Sequence, residues 1–157
     1  MFQIGDKIVY PMNGAGEIVG VEEKNILGET HRYFVVRLSV SNMKVMLPIN
    51  NIEGIGVRKI VSEDVANSAI KFFRSYVDDS TSNWNKRYRE NIEKMKSGDI
   101  IRVAEVAKSL AMRESVKALS NAEKKMLTNA KNILVSELVL AKEKSGEEIE
   151  NLLLCEA

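Results

Sequence analysis

The sequence predicts an α+β protein: a small antiparallel β barrel over residues 1–60, followed by a compact α-helical bundle over residues 61–157. Three observations predict it. Apolar residues of the first sixty positions alternate with polar ones and are rich in β-branched and aromatic types, as strands require. From Ser62 the apolar spacing changes to about 3.6, the period of a buried helix face. No helical stretch separates the strands, so they are joined by tight turns rather than by crossovers.

The β half begins with a strand marked by Ile4, Ile8 and Tyr10, interrupted by a small turn at Gly5-Asp6 and ended by Pro11. Asn13-Gly14 is a tight-turn signal because both residues tolerate positive φ. Residues 17–21 form a second strand, and residues 25–30, with Gly28, a connection. Residues 32–38 form the third and clearest strand. In the fourth, Met43, Val45 and Leu47 lie on one face, and Lys44 and Met46 on the other. Pro48 gives up a backbone donor, which suits an edge strand. A last short strand covers residues 57–60. Gly14, Gly16 and Gly20 do not have dinucleotide-loop spacing and a strand follows them, so they are turn glycines.

Ser62 caps the first helix, with Glu63 and Asp64 in the turn where the helix dipole favours anions. Val65, Ala69, Phe72, Phe73 and Tyr76 supply its apolar stripe. Asp78-Asp79-Ser80-Thr81 is a polar break, and its paired aspartates read as a solvated loop. Ser82 and Asn83 are both N-cap residues, so Trp84 opens the second helix, with Tyr88, Ile92 and Met95 inward. Ser97-Gly98 stops it. Asp99 caps a third helix reaching about Leu119, with Ile101, Ala104, Ala107 or Lys108, and Ala111 on related faces. Ser120-Asn121-Ala122-Glu123 has capping-box order. It opens a fourth helix carrying Met126, Ala130, Ile133, Leu134, Leu138 and Ala141 and ended by Gly146. Residues 147–154 form a last short helix. The boundary near residues 60–62 has no Gly/Ser linker, so the two modules are expected to be semi-rigid.

Net charge is only +1, so no global field attracts nucleic acid. Residues 86–131, however, hold 12 basic against 6 acidic residues. The segments on either side are acidic, so the basic face is local. At the head of this stretch is the lone tryptophan, Trp84, followed by Lys86, Arg87, Tyr88 and Arg89. Cations neutralise phosphates, and a ring stacks on bases that have lost a neighbour. The local sequence leaves two placements open for Trp84: packed in the bundle, or projecting from the helix start.

Catalysis is not expected. The single histidine, His31, sits beside a turn, and no nucleophile-base set or metal-ligand spacing surrounds it. Cys155 is the only cysteine, so no internal disulfide forms. The N-terminus lacks a signal pattern, and no apolar run approaches the roughly 20 residues that span a bilayer. A soluble cytoplasmic protein without cofactor, small-molecule substrate or membrane contact is expected. The β half offers an edge strand, and the helical half offers Trp84 and the basic stretch. Together they suggest an adaptor between a protein and a nucleic acid.

Ordered motifs over nearly the whole chain then bear on identity. They are Gly5-Asp6-Lys7-Ile8-Val9-Tyr10-Pro11 followed by Gly14, Val45-Met46-Leu47-Pro48, Gly56-Val57-Arg58, and Asn83-Trp84-Asn85-Lys86-Arg87-Tyr88. Further on come Ser97-Gly98-Asp99, Val103-Ala104-Glu105-Val106, Leu119-Ser120, Glu123-Lys124-Lys125-Met126-Leu127 and Ala130. In this order and spacing the chain resembles the CarD/CdnL transcription regulators of bacteria. The resemblance implies a Tudor-like β domain that binds the RNA polymerase β subunit, related to one in the transcription-repair coupling factor. It also implies a helical domain that contacts promoter DNA in the minor groove at the upstream edge of the melted bubble. There the family's tryptophan, aligned with Trp84, acts as a wedge and stabilises the open complex. Asn83, Lys86, Arg87, Arg89 and Lys124 are the accompanying DNA-binding positions. On the polymerase side a family arginine aligns with Lys24 and an apolar contact with Ile26, while Lys44 and Met46 lie on the outward face of the edge strand. The chain departs from some members where a polymerase-contacting arginine falls on Met46, which favours an apolar or backbone-paired contact. Two other readings are a protein-only adaptor with Trp84 in the helical core and a stand-alone non-specific DNA-binding module.

Overall fold

The computed structural model describes residues 2–78 and 83–154. Five strands come first: β1 (Lys7–Tyr10), β2 (Gly14–Ile26), β3 (Glu29–Leu38), β4 (Lys44–Pro48) and β5 (Arg58–Lys59). A 3₁₀ turn at Ile49–Asn51 precedes β5. Five helices follow: α1 (Glu63–Ser75), α2 (Trp84–Lys96), α3 (Ile100–Val116), α4 (Asn121–Lys142) and α5 (Gly146–Leu154). The expected break at residues 79–81, the alternative cap Ser82, and Cys155 lie outside the described residues.

The α+β class is as expected, but the β half is not a closed barrel. Its strands form one antiparallel sheet in the order β4-β3-β2-β1-β5, with no pairing between β4 and β5. Closure needs two long edges that meet. Here β5 has only two residues, and Pro48 ends β4 by turning the chain into the 3₁₀ segment. The sheet is therefore open, with β4 as an edge. One face buries Ile8, Ile18, Phe34, Val36 and Leu47, closed over by Ile52 and Val57 from the loop before β5.

β2 and β3 run longer than the alternation predicts. They pair from Gly16↔Leu38 out to Ile26↔Glu29, and only Leu27-Gly28 turns between them. Both turn residues have positive φ, 53° and 82°, the requirement of a two-residue hairpin turn. The outer arm is polar on both faces, so burial does not signal it. At the other hairpin Met12 and Gly14, rather than Asn13, take positive φ.

The four cap side chains accept as expected, although the Ser120 capping box closes on one side only, because the Glu123 carboxylate pairs with Arg87. Ser62 accepts from Val65 N–H, Asn83 from Lys86, Asp99 from Ile101 and Arg102, and Ser120 from Glu123. Gly146 does not end α4. Glu143 does so in the left-handed conformation, and Gly146 opens α5. On α1 the exposed Val65 is replaced in the core by Ala66 and Ile70. The buried face of α3 is wide over Ile100 to Leu110, because α1, α2 and α4 pack on it, while Arg102 and the last turn stay exposed. That blurs the single stripe expected from its sequence.

α4 joins the two halves. One side carries Met126, Ala130, Ile133, Leu134 and Leu138 into the helical core. The other meets the sheet. The Ala15 N–H donates to Ser136 Oγ at 2.8 Å, and Ser39 Oγ donates to the Ser136 carbonyl at 2.8 Å. Arg58 makes a two-pronged ion pair with Glu137, both contacts at 2.8 Å, and also donates to the Gly98 carbonyl. The Val61 N–H donates to the same Glu137 carboxylate. Met12, in the β1–β2 turn, packs against the helical core. Ser136→Ala leaves the buried Ala15 N–H without its acceptor. It is expected to cost about 1–3 kcal/mol in urea unfolding; an unchanged midpoint would contradict this account of the junction.

Candidate nucleic-acid interface

Asn83 caps α2 through its side-chain oxygen, 2.9 Å from the Lys86 nitrogen, which makes Trp84 the first helical residue. A side chain there leans back toward the helix N-terminus and past its end. The indole lies at the surface, with Trp84 40% exposed. It is not free-standing either. Tyr88, one turn on, stacks against it with ring centroids 4.9 Å apart and planes 10° from parallel. The indole Nε1–H donates to Ser120 Oγ at 3.2 Å. One face and one edge are thus held, and the ring remains accessible.

Ser120 is the N-cap of α4, so this hydrogen bond joins the starts of two helices 36 positions apart in the chain. Lys124 sits on the first turn of the same helix, its N–H bonded to the Ser120 carbonyl at 2.9 Å, and its side chain is exposed. Trp84 and Lys124 therefore share one end of the bundle. Asn83 is exposed at the cap of α2; Lys86 and Arg89 are exposed further round the same helix, about 200° and 140° from Trp84, where they line a groove with Glu90, Glu93 and Arg102. Arg87 turns inward instead. Its Nε lies 3.1 Å from Glu123 Oε2 and its Nη2 3.4 Å from Oε1, with the Glu123 side chain 3% exposed. Its guanidinium ties α2 to α4 and balances a buried carboxylate.

The residues expected to contact polymerase occupy two stretches of the sheet. Lys24, opposite His31, and Ile26, opposite Glu29, stand exposed near the tip of the β2–β3 arm, where Leu27 is fully exposed. Lys44 and Met46 lie on the edge strand β4, opposite Arg37 and Val35. Lys44 is exposed and Met46 half-buried, on the face away from the Val45 and Leu47 core. Met46 and Lys24 are four residues apart along β3, about 13 Å. The outer backbone edge of β4 has no strand partner within the sheet, and so can accept one.

Sequence reasoning did not single out Ser120 or Glu123 as parts of this site, and it placed Tyr88 simply inward. The spacing of Trp84 and Tyr88, four apart on a helix, was the available signal for the ring pair. Nothing local signals that Ser120 and Glu123 fold beneath α2. His31 lies on the hairpin arm, 3.7 Å from Glu29. Among the described residues no three His, Cys, Asp or Glu side chains gather as a metal site, and no helix is long and apolar enough to cross a membrane.

Comparison with known proteins gives matches along almost the whole chain. Residues 2–61 match the family described as CarD-like/TRCF RID domain, and residues 68–154 match the family described as CarD, C-terminal domain. A Bacillus subtilis (strain 168) protein, YdeB, described as a candidate transcription factor, is 43% identical over 142 residues, which covers 90% of this chain and 93% of that one. Among solved structures, the solution structure of the 72-residue N-terminal domain of Myxococcus xanthus CarD is 29% identical. It covers 38% of this chain and 79% of its own, with a TM-score of 0.33. CdnLNt from the same organism is 39% identical and covers 40% of this chain and 87% of its own, with a TM-score of 0.35.

Proposed function

The chain belongs to the CarD family of transcription factors, and on that premise we propose that it is a non-catalytic initiation factor that holds promoters open while docked on RNA polymerase. Residues 1–60 form the docking domain and bind the polymerase β subunit through Lys24 and Ile26 on the hairpin arm and Lys44 and Met46 on the edge strand. Residues 61–157 form the DNA-contacting domain and act in the cytoplasm, where the promoter is. The observation that carries the reading is the half-exposed indole of Trp84 at the end of the bundle, with Lys124 exposed at the same end and Lys86 and Arg89 exposed on the flank of α2.

Melting leaves the base pair at the upstream edge of the bubble with one face unstacked. A ring inserted from the minor groove replaces the missing neighbour without reading sequence, because every base has a face. Lys86, Arg89 and Lys124 neutralise flanking phosphates, and Asn83 adds a polar contact. Arg87 contributes by holding α2 on Glu123 rather than as a solvated cation. A handful of phosphate contacts alone binds DNA weakly and with strong salt dependence. Attachment to polymerase raises the local concentration and makes weak DNA contacts sufficient. That is how a protein of net charge +1 acts on a polyanion.

The reading is tested by the lifetime of competitor-challenged open complexes with and without the protein. It requires a longer lifetime with the protein present, and no change would sink it. Docking is tested separately by capture of RNA polymerase. Lys24→Glu reverses the charge at the arm, and Met46→Glu places a carboxylate in the contact face. Each is expected to weaken capture about tenfold, equivalent to 1.4 kcal/mol. Wild-type capture by both variants would remove the sheet from the docking surface.

A further inference from the structure

Resting on the wedge reading of Trp84, we propose that Tyr88 and Ser120 are positioning residues that present the indole to DNA in one fixed orientation. The aromatic pair lies on one helix face at i and i+4, its rings 4.9 Å apart and within 10° of parallel. Tyr88 is itself half-buried and packs on the helical core, so the platform under the indole belongs to the rigid part of the bundle. Ser120 holds the ring in the second direction. Its Oγ takes the indole N–H at 3.2 Å while also capping α4 through the Glu123 N–H at 3.2 Å. A ring held on one face and one edge has lost its rotamer freedom before DNA arrives, so the cost of ordering it does not fall on the open complex. Both indole elements that touch the protein, the covered face and the N–H, are withdrawn from DNA. The wedge therefore works through its remaining face and edges, and without an indole hydrogen bond to a base.

A double-mutant cycle separates positioning from plain structural support. Tyr88→Leu keeps an apolar side chain against the core and removes the platform. It is expected to shorten the open-complex lifetime about three- to tenfold, in keeping with the worth of an aromatic pair. Tyr88→Phe keeps the ring and is expected to restore most of that loss. Ser120→Gly removes the indole acceptor while glycine still serves as an N-cap, and is expected to shorten the lifetime about two- to fivefold. In the Trp84→Ala background neither Tyr88→Leu nor Ser120→Gly should shorten the lifetime further. Equal shortening in both backgrounds, or failure of phenylalanine to restore the lifetime, would overturn the positioning role. If Trp84→Ala alone leaves the lifetime unchanged, the wedge reading itself fails. If Trp84→Ala shortens it while Tyr88→Leu and Ser120→Gly do not, only the positioning proposal fails. Because Trp84 is the sole tryptophan, its fluorescence anisotropy decay gives an independent check. Fast ring motion should increase in Tyr88→Leu; an unchanged decay would count against the platform.

Discussion

Glu137→Ala is expected to lower unfolding stability by about 3–5 kcal/mol, the usual consequence of removing one partner from a buried ion pair. The carboxylate is 2% exposed and receives both prongs of Arg58 and the Val61 N–H. Alanine strands the Arg58 guanidinium beside the Gly98 carbonyl and leaves the Val61 N–H unpaired. Arg58 is 30% exposed, so water recovers part of the loss and the lower half of the range is the better expectation. Urea unfolding measures it, with the slope expected to remain that of wild type. A midpoint shift worth less than about 1 kcal/mol would show that this junction does not hold the domains together. The double variant Arg58→Met/Glu137→Leu should recover much of the stability, because apolar replacement removes both the pair and its desolvation cost.

Trp84→Ala is expected to shorten the open-complex lifetime by roughly 5- to 150-fold while leaving polymerase capture intact. The range follows from base–aromatic stacking of about 1–3 kcal/mol, with 1.4 kcal/mol per factor of ten. Folding stability should fall far less than for a core aromatic, because the residue is 40% exposed. A loss of about 3–5 kcal/mol in urea, with an unchanged complex lifetime, would instead identify the ring as a structural part of the bundle. An effect on lifetime need not be activation everywhere, since a promoter limited by escape is slowed by an over-stable bubble.

What the residues disclose in advance depends on how far the cause lies along the chain. Ser62, Asn83, Asp99 and Ser120 were legible as caps because a cap bonds within three residues of itself. The edge position of β4 was legible from Pro48 and from the outward Lys44 and Met46. Barrel closure was not, because it depends on whether two strands distant in sequence meet, and a two-residue β5 cannot supply the second edge. The full β2–β3 arm escaped because its cross-strand pairs, such as Glu23 with Arg32, are polar on both faces. At the candidate site, the pairing of Trp84 with nearby cations could be read directly, but its exposure could not, because the local sequence fits a packed and a projecting ring equally well. The inward turn of Arg87 could not, because it answers to Glu123, 36 positions away and buried.

α4 touches Trp84 through Ser120 at its head and the sheet through Ser136 to Ala15 and Glu137 to Arg58 near its tail. Ser136 lies sixteen residue steps after Ser120 along uninterrupted helix, about 24 Å at the usual rise. On the proposed function, the helix is a measuring rod laid between the sheet offered to polymerase and the indole offered to DNA. Its gradations are about 1.5 Å and 100° per residue. A single added or deleted position in its middle turns Ser120 by about 100° relative to Ser136, more than a quarter turn, and so removes the acceptor that α4 offers to the indole on α2.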